Sequence, residues 1–237
     1  MPTTTRAAPT TNRLLTALPK KEYQRLLPEL VRVPLAFGDI LYEPGDVITH
    51  VYFPDSGIIS LLSKVESQKV LEVGIVGNEG VAGLPAVLGA HVSLNRGLVQ
   101  SAGTALMMKA AVLRKEFNAD GALQRLLHRY LHSLLTQISQ SAVCNRFHMV
   151  DARLARWLLM THDRVGSDEF RLTQEFLSNM LGVRREAVSK AAGAFQKREF
   201  VNYSRGHITI LNRAGLEAIA CQCYRIIRDE SDQVFNR

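Results

Sequence analysis

The chain is poor in cysteine, with only Cys144, Cys221 and Cys223 in 237 residues. An odd, sparse set of this kind fits a reducing compartment better than a disulfide framework. No apolar run approaches the ~18 to 20 residues that a membrane helix needs, so the chain is read as not spanning a membrane. The start, Met1 to Asn12, is rich in Thr and Pro, carries a single charge at Arg6, and lacks the roughly 7 to 15 apolar residues of a secretion signal. It reads as a flexible tail over residues 1–12, and the protein as cytoplasmic. Acidic residues are also in deficit: 22 Asp and Glu against 29 Lys and Arg leave a formal charge of +7. That excess favours an acidic partner such as nucleic acid without identifying one.

Chemistry-bearing clusters are scarce too. No group of His and Glu falls on strand-like segments, and no nucleophile stands beside a base, which weighs against a cupin-like β-barrel enzyme. Cys221 and Cys223 have no third and fourth ligand nearby at zinc-like spacing and read as ordinary helix residues. His128 and His132 share a helix face at i, i+4 but lack an acidic general base between them and a third ligand. They read as a solvent-facing or packed pair. No catalytic residue, metal or cofactor is therefore expected.

What is present divides the chain into three regions. From about Val31 to Lys115 short β-like runs, such as Ile40-Leu41-Tyr42, Val51-Tyr52-Phe53, Ile58 to Leu62 and Val70 to Val73, alternate with turn residues, including Pro54-Asp55-Ser56-Gly57. A small β-roll or barrel over residues 13–117 is the expectation. From about Asn118 to Val150 the period turns helical, with Leu123, Leu127, Leu131, Leu134, Ile138 and Ser141 at steps of four and three. That stripe fits a long helix covering the β-roll, and it fits equally a two-stranded coiled coil. A boundary near Asp151 then opens a C-terminal region, 151–237, whose first helix runs roughly from Ala152 to Asp163.

Residues Leu172 to Lys190 read as a helix, a tight turn and a second helix, with the whole motif extending to about residue 197. Thr173 suits the N-cap of the first helix, and Phe176, Leu177 and Met180 form its buried stripe. Gly182 suits the turn, where other residues would be strained at positive φ. Val183, Ala187, Val188, Ala191 and Ala194 form the packed face of the second helix, leaving Arg184, Arg185, Glu186, Ser189 and Lys190 outward near its N-terminus. From Arg184 to Arg205 six basic residues face two acidic ones, a local charge of +4. Next, Phe200 to Leu211 reads as a two-stranded hairpin with Ser204-Arg205-Gly206 at its turn, a wing whose Arg205 and His207 suit phosphate contacts. Arg, Lys and Glu at the N-terminal end of such a helix are the side chains that read base edges in a major groove. Thr173 and Gln174 complete the expected DNA-binding set. The alternative is a protein-interaction module, since helix-turn-helix pairs also occur in proteins that never touch DNA.

This order of parts, with Gly182-Val183-Arg184-Arg185-Glu186-Ala187-Val188-Ser189-Lys190, resembles the Crp/Fnr family of bacterial regulators over nearly the whole chain after about Leu14. Arg185, Glu186 and Val188 match the family's Arg-Glu-x-Val-x-Arg pattern, and Lys190 replaces its last arginine. The resemblance implies an α+β fold: an N-terminal cyclic-nucleotide-binding-like β-roll, a long dimerisation helix over 118–150 and a C-terminal winged helix-turn-helix. It implies a homodimeric, non-enzymatic transcription regulator that binds double-stranded DNA, with RNA polymerase as a further partner and Arg185, Glu186 and Lys190 reading bases. It also assigns Leu127, Leu131, Leu134 and Ile138 to the dimer interface. The sensory half departs from the cyclic-nucleotide binders: Gly80-Val81-Ala82-Gly83 stands where they have Gly-Glu-Leu-Gly, and Gln100-Ser101 where they have Arg-Ser or Arg-Thr. Asn78, Glu79, Gly80 and Arg96 are the candidate pocket for an effector of unknown identity. The iron-sulfur branch needs an N-terminal cysteine cluster, and no cysteine precedes Cys144.

Overall fold

A computed structural model describes residues 9–65, 69–90 and 92–236. They form two compact units: up to Leu61 with Ile75–Leu134 and Ser231 onward, and Leu62–Gly74 with Leu135–Glu230.

The first unit opens with two short helices, α1 (Arg13–Thr16) and α2 (Lys20–Leu26). Strands β1 (Val31–Leu35), β2 (Ile40–Tyr42), β3 (His50–Val65), β4 (Lys69–Val76) and β5 (Arg96–Lys109) follow. They make one sheet in the order β1-β5-β3-β4, with β2 also on β5. Leu14, Phe53, Leu106, Leu113, Leu127 and Val234 meet in its core, all 3% exposed or less. This is the β-rich N-terminal half expected, although two local readings change. Pro54 to Gly57 is not a turn, because β3 runs straight through it. Gly57 (φ 80°) and Gly103 are instead places of close backbone approach: a Cβ on Gly57 would sit 2.5 Å from the Ser101 carbonyl oxygen. Strand structure also stops at Lys109, and Ala110–Phe117 forms α3, since Ala, Leu, Lys and Glu favour a helix and Ala110 and Leu113 bury one side of it.

The tail reading holds for none of the residues that can be described. Residues 1–8 lie outside the described residues, and Thr10 to Asn12 are pinned by Asp55. Its Oδ1 accepts from the Thr10 hydroxyl at 2.5 Å and the Thr11 amide at 2.9 Å. Asn12 is fully buried, donates to the carbonyls of Pro54 and Gly80 at 2.9 Å, and caps α1.

The long helix α4 spans Ala122–Phe147. Glu22 caps its start, its two carboxylate oxygens accepting from the Ala122 and Leu123 amides at 3.0 Å. The leucine stripe assigned to a dimer seam largely faces inward: Leu127 is 1% exposed in the core, and Leu131 and Leu134 pack against that core. Ile138 is half-buried. An apolar stripe goes first to the nearest apolar surface, which here is the chain's own sheet.

The second unit contains α5 (Val150–Val165), β6 (Glu169–Arg171), α6 (Gln174–Leu181), α7 (Arg185–Lys197), β7 (Val201–Ser204), β8 (His207–Ile210), α8 (Arg213–Ile219) and α9 (Cys223–Gln233). Helix α5 packs against α7 and α8. Three strands pair in the order β6-β8-β7, so the expected two-stranded wing gains Glu-Phe-Arg at 169–171, a strand too short to leave a periodic signal. Residues 62–65 of β3 and 69–74 of β4 also belong to this unit. There Glu72 accepts from the Trp157 indole N–H at 2.7 Å, and Trp157 is 2% exposed.

Candidate nucleic-acid interface

Helix α6 begins as its sequence requires. The Thr173 hydroxyl oxygen accepts from the Phe176 amide at 3.1 Å, satisfying one orphan donor of the first turn. It ends at Gly182, whose φ of 60° lets its amide and that of Val183 bond back to carbonyls of Asn179 and Ser178. Arg153, only 6% exposed, reaches the same end and donates to the Leu181 carbonyl and, at 2.7 Å, to Asn145 Oδ1. A buried guanidinium at a helix C-terminus completes the last carbonyls and complements the macrodipole. The turn between α6 and α7 is therefore held from both sides.

Helix α7 buries Val188, Ala191, Ala192 and Phe195. Ala192 and Phe195 replace the expected Ala194, which is exposed, and Phe176 on α6 is half-buried, with Leu177, Met180 and Leu181 forming the buried stripe. The opposite face carries Arg184, Arg185, Glu186 and Lys190, all exposed, at the N-terminal end of the helix. Ser189 and Gln174, both expected at DNA, are half-buried and bonded to one another at 2.5 Å, locking the start of α6 to the second turn of α7.

The wing turns at Arg205 (φ 49°) and Gly206 (φ 79°). Its tip is tied to the start of α6: the Leu172 amide donates to the Gly206 carbonyl at 2.7 Å, and the Tyr203 hydroxyl donates to the Leu172 carbonyl at 2.9 Å. Burial pushes the Tyr203 phenol up, partly offset by the Arg185 guanidinium and a backbone bond from Gln174. Tyr203 thus lies close to both helices, a placement that sequence reasoning did not single out. Arg205 and His207 are exposed at the tip. A second network fixes the frame behind the motif. Arg213 ion-pairs with Asp163 at 2.8 Å and Glu217 at 2.9 Å, and the Tyr224 hydroxyl donates to Asp163 at 3.0 Å. Burial, with Asp163 adding to it, raises the Tyr224 phenol to about 12.

The candidate effector residues have separate surroundings. Arg96 is engaged by Glu43 at 2.7 Å. Asn78 accepts the Arg13 amide, the Glu79 carboxylate bonds the Gly77 amide, and Gly80 packs on the Tyr130 ring. A cavity of about 360 Å³ in the first unit, lined by residues including Val47, His50, Lys109 and Arg114, includes none of the four. At the later position Gln100 is 1% exposed and accepts from the Ser60 hydroxyl at 2.6 Å.

The cysteine reading needs a larger correction. Cys221 lies in the turn before α9 and Cys223 opens that helix, so they are not two residues of one helix. Cys144 and His148, from the end of α4, stand beside them, and the four ligand-type atoms lie within 4.8 Å of one another. Sequence reasoning looked for partners near Cys221 in the chain, whereas they come from more than seventy positions earlier.

A capped helix, a glycine turn, a second helix with an exposed basic N-terminal end and a strand-paired wing define a winged helix-turn-helix. Residues 152–219 match the Crp-like helix-turn-helix domain. Over most of its length the chain has the fold of solved regulators of the Crp/Fnr family. A transcriptional regulator of that family from Eubacterium rectale shares 17% identity over 87% of this chain and 96% of its own, with a TM-score of 0.68. FixK2 from Bradyrhizobium japonicum shares 15%, covering 81% and 98%, at 0.69. The c-di-GMP responsive regulator CLP of Xanthomonas campestris shares 16%, covering 81% and 99%, at 0.63. No curated protein sequence gives a significant match. Domain and fold together support a DNA-binding transcription regulator.

Proposed function

We propose that the protein reads specific double-stranded DNA sequences as a homodimer in the cytoplasm, with α7 in the major groove. The observation that carries this reading is the α7 N-terminal end, where Arg185, Glu186 and Lys190 are exposed while the opposite face is buried. Arg185, Glu186 and Lys190 contact base edges; Arg185 has the planar fork that suits guanine, and Lys190 contributes a point charge. Arg184, Arg205 and His207 contact phosphates, and Thr173 stands at the α6 N-terminus. Gln174 and Ser189 position α7 against α6.

Dimerisation is assigned to the outer face of α4. Leu135 is 56% exposed, Val143 44% and Phe147 72%, an apolar stripe left uncovered among the described residues. Pairing two such helices buries it and presents two α7 helices to half-sites about 34–36 Å apart. Within this reading the first unit senses an effector, and RNA polymerase is the partner on the promoter.

Selection of bound sequences from random duplex DNA tests the proposal, using the full-length protein at two salt concentrations, with and without the small molecules of a cleared lysate. A two-fold symmetric motif, with affinity falling steeply as salt rises, is expected because phosphate contacts release counterions. No enrichment under any of the conditions would reject sequence reading.

A further inference from the structure

We infer that Cys144, His148, Cys221 and Cys223 form a binding site for a single zinc ion inside the DNA-binding unit. Cys144 Sγ and Cys221 Sγ are 3.5 Å apart, Cys223 Sγ and His148 Nδ1 are 3.6 Å apart, and all four atoms fall within 4.8 Å. A tetrahedral zinc ion, with bonds of about 2.3 Å to sulfur and 2.0–2.1 Å to nitrogen, places its ligand atoms roughly 3.5–3.8 Å from each other. The separations suit one small ion. A polynuclear iron-sulfur cluster would hold sulfurs on different irons much farther apart, and a disulfide would need about 2.05 Å. Calcium and magnesium are excluded by the donor set, which has no oxygen.

Position supports the same assignment. Cys144 and His148 are one turn apart near and just beyond the end of α4, so both point to the same side. Cys221 and Cys223 flank the turn into α9. All three thiols are buried and His148 is half-buried, so none of the cysteines is an accessible redox thiol. Such a closed set of four, with no position left for water, is the structural rather than the catalytic kind of zinc site.

Charge balance supplies an independent observation. Arg156 is 6% exposed and touches Cys144 and the Met160 sulfur, and it pairs with no carboxylate among the described residues. Its Nε has no hydrogen-bond partner. A buried guanidinium with no carboxylate beside it lacks a fixed counter-charge, which is costly. Three thiolates, one neutral imidazole and Zn²⁺ sum to a net charge of −1, a counter-charge for the buried guanidinium groups of Arg156 and Arg153, which both lie near Cys144. On binding, the thiols release their protons to solvent and the ion links α4 to the α8–α9 turn.

The test uses the full chain purified under reducing conditions. Elemental analysis after gel filtration should find one zinc per chain. Metal-free protein titrated with Co²⁺ should develop thiolate charge-transfer absorption and the visible bands of tetrahedral cobalt. His148→Cys should keep the metal and shift those bands toward an all-thiolate site, whereas Cys223→Ser should lose most of the affinity. A chelator should lower the melting temperature of the wild type and spare protein in which the site has been removed. The assignment is overturned if natively folded wild-type protein, judged by circular dichroism, carries no stoichiometric zinc and gives no cobalt bands. It is equally overturned if the mass shows a Cys144–Cys221 disulfide, or if the retained ion is copper or iron instead of zinc.

Discussion

Two constraints meet at Gly182, and they are unequal. Its φ of 60° disfavours any residue with a Cβ, by about 1–2 kcal/mol. An added Cβ would also lie 2.7 Å from Leu71 Cδ1, the tip of a flexible side chain that can turn aside. Strain therefore outweighs the clash, and Gly182→Ala should cost about 1–2 kcal/mol in a urea melt, with α7 still formed. The DNA-facing residues separate by role. Arg185→Ala should lose roughly 1–3 kcal/mol on the selected site and relax its sequence preference, while Arg205→Ala should weaken all sequences alike and lower the salt slope by about 1. Equal loss on every sequence for Arg185→Ala would remove it from base reading. At this scale the sequence was a good guide wherever one residue type answers one local need, as at Thr173, Gly182 and Val188. It did not show that Ser189 and Gln174 bond to one another, because polar residues at outward positions look alike whether they face solvent or each other. It also failed for Cys144 and Cys221, whose proximity depends on how α4 and the α8–α9 turn come together.

The long helix illustrates what periodicity can and cannot tell. The steps of four and three from Leu123 to Ser141 announce an amphipathic helix, but a stripe does not say what it packs against. Its first half lies on the sheet, and the uncovered residues are Leu135, Val143 and Phe147, which fall outside the marked seam. The two faces should respond differently: Leu135→Glu should yield folded monomers by analytical ultracentrifugation, whereas Leu127→Glu should unfold the chain by burying a charge without a partner. A folded Leu127→Glu monomer would show that the inner face is the seam after all. The start of the helix depends on Glu22. Burial alone would raise this carboxyl, but the Ala122 and Leu123 amides, with Arg25 and Arg125, hold it below the ordinary glutamate value. A group lowered in the folded state adds stability that is present above its unfolded pKa and lost as pH falls through the folded one. The wild type should thus lose stability more steeply than Glu22→Gln as pH drops below about 4.3. Parallel acid-denaturation curves for the two would remove Glu22 as a cap.

Across the whole molecule, the order of β-rich half, long helix and winged motif could be read from strand-like alternation, helical periodicity and turn residues in turn. The discontinuity of both units could not, since it depends on distant segments returning. The end of β3 from Leu62 and β4 up to Gly74 join the second unit, and residues from Ser231 onward return to the first. Val234 is 3% exposed in the first core, and Arg13 lies 4.1 Å over the Phe235 ring while pairing with Asp232 at 3.3 Å. Removing residues 231–237 exposes that core, so the truncated chain should melt several degrees lower with its DNA-binding residues intact. An unchanged melting temperature would make the returning segment mere surface decoration.

That return also constrains how the chain is made. Domains usually fold as they leave the ribosome, N-terminal part first. Here the first core lacks Val234 until long after Leu134 has emerged, while α5 to α9 have already been synthesised. During synthesis the N-terminal half must persist as an unfinished core, and its closure becomes a late, long-range step that brings together the two most distant parts of the described chain.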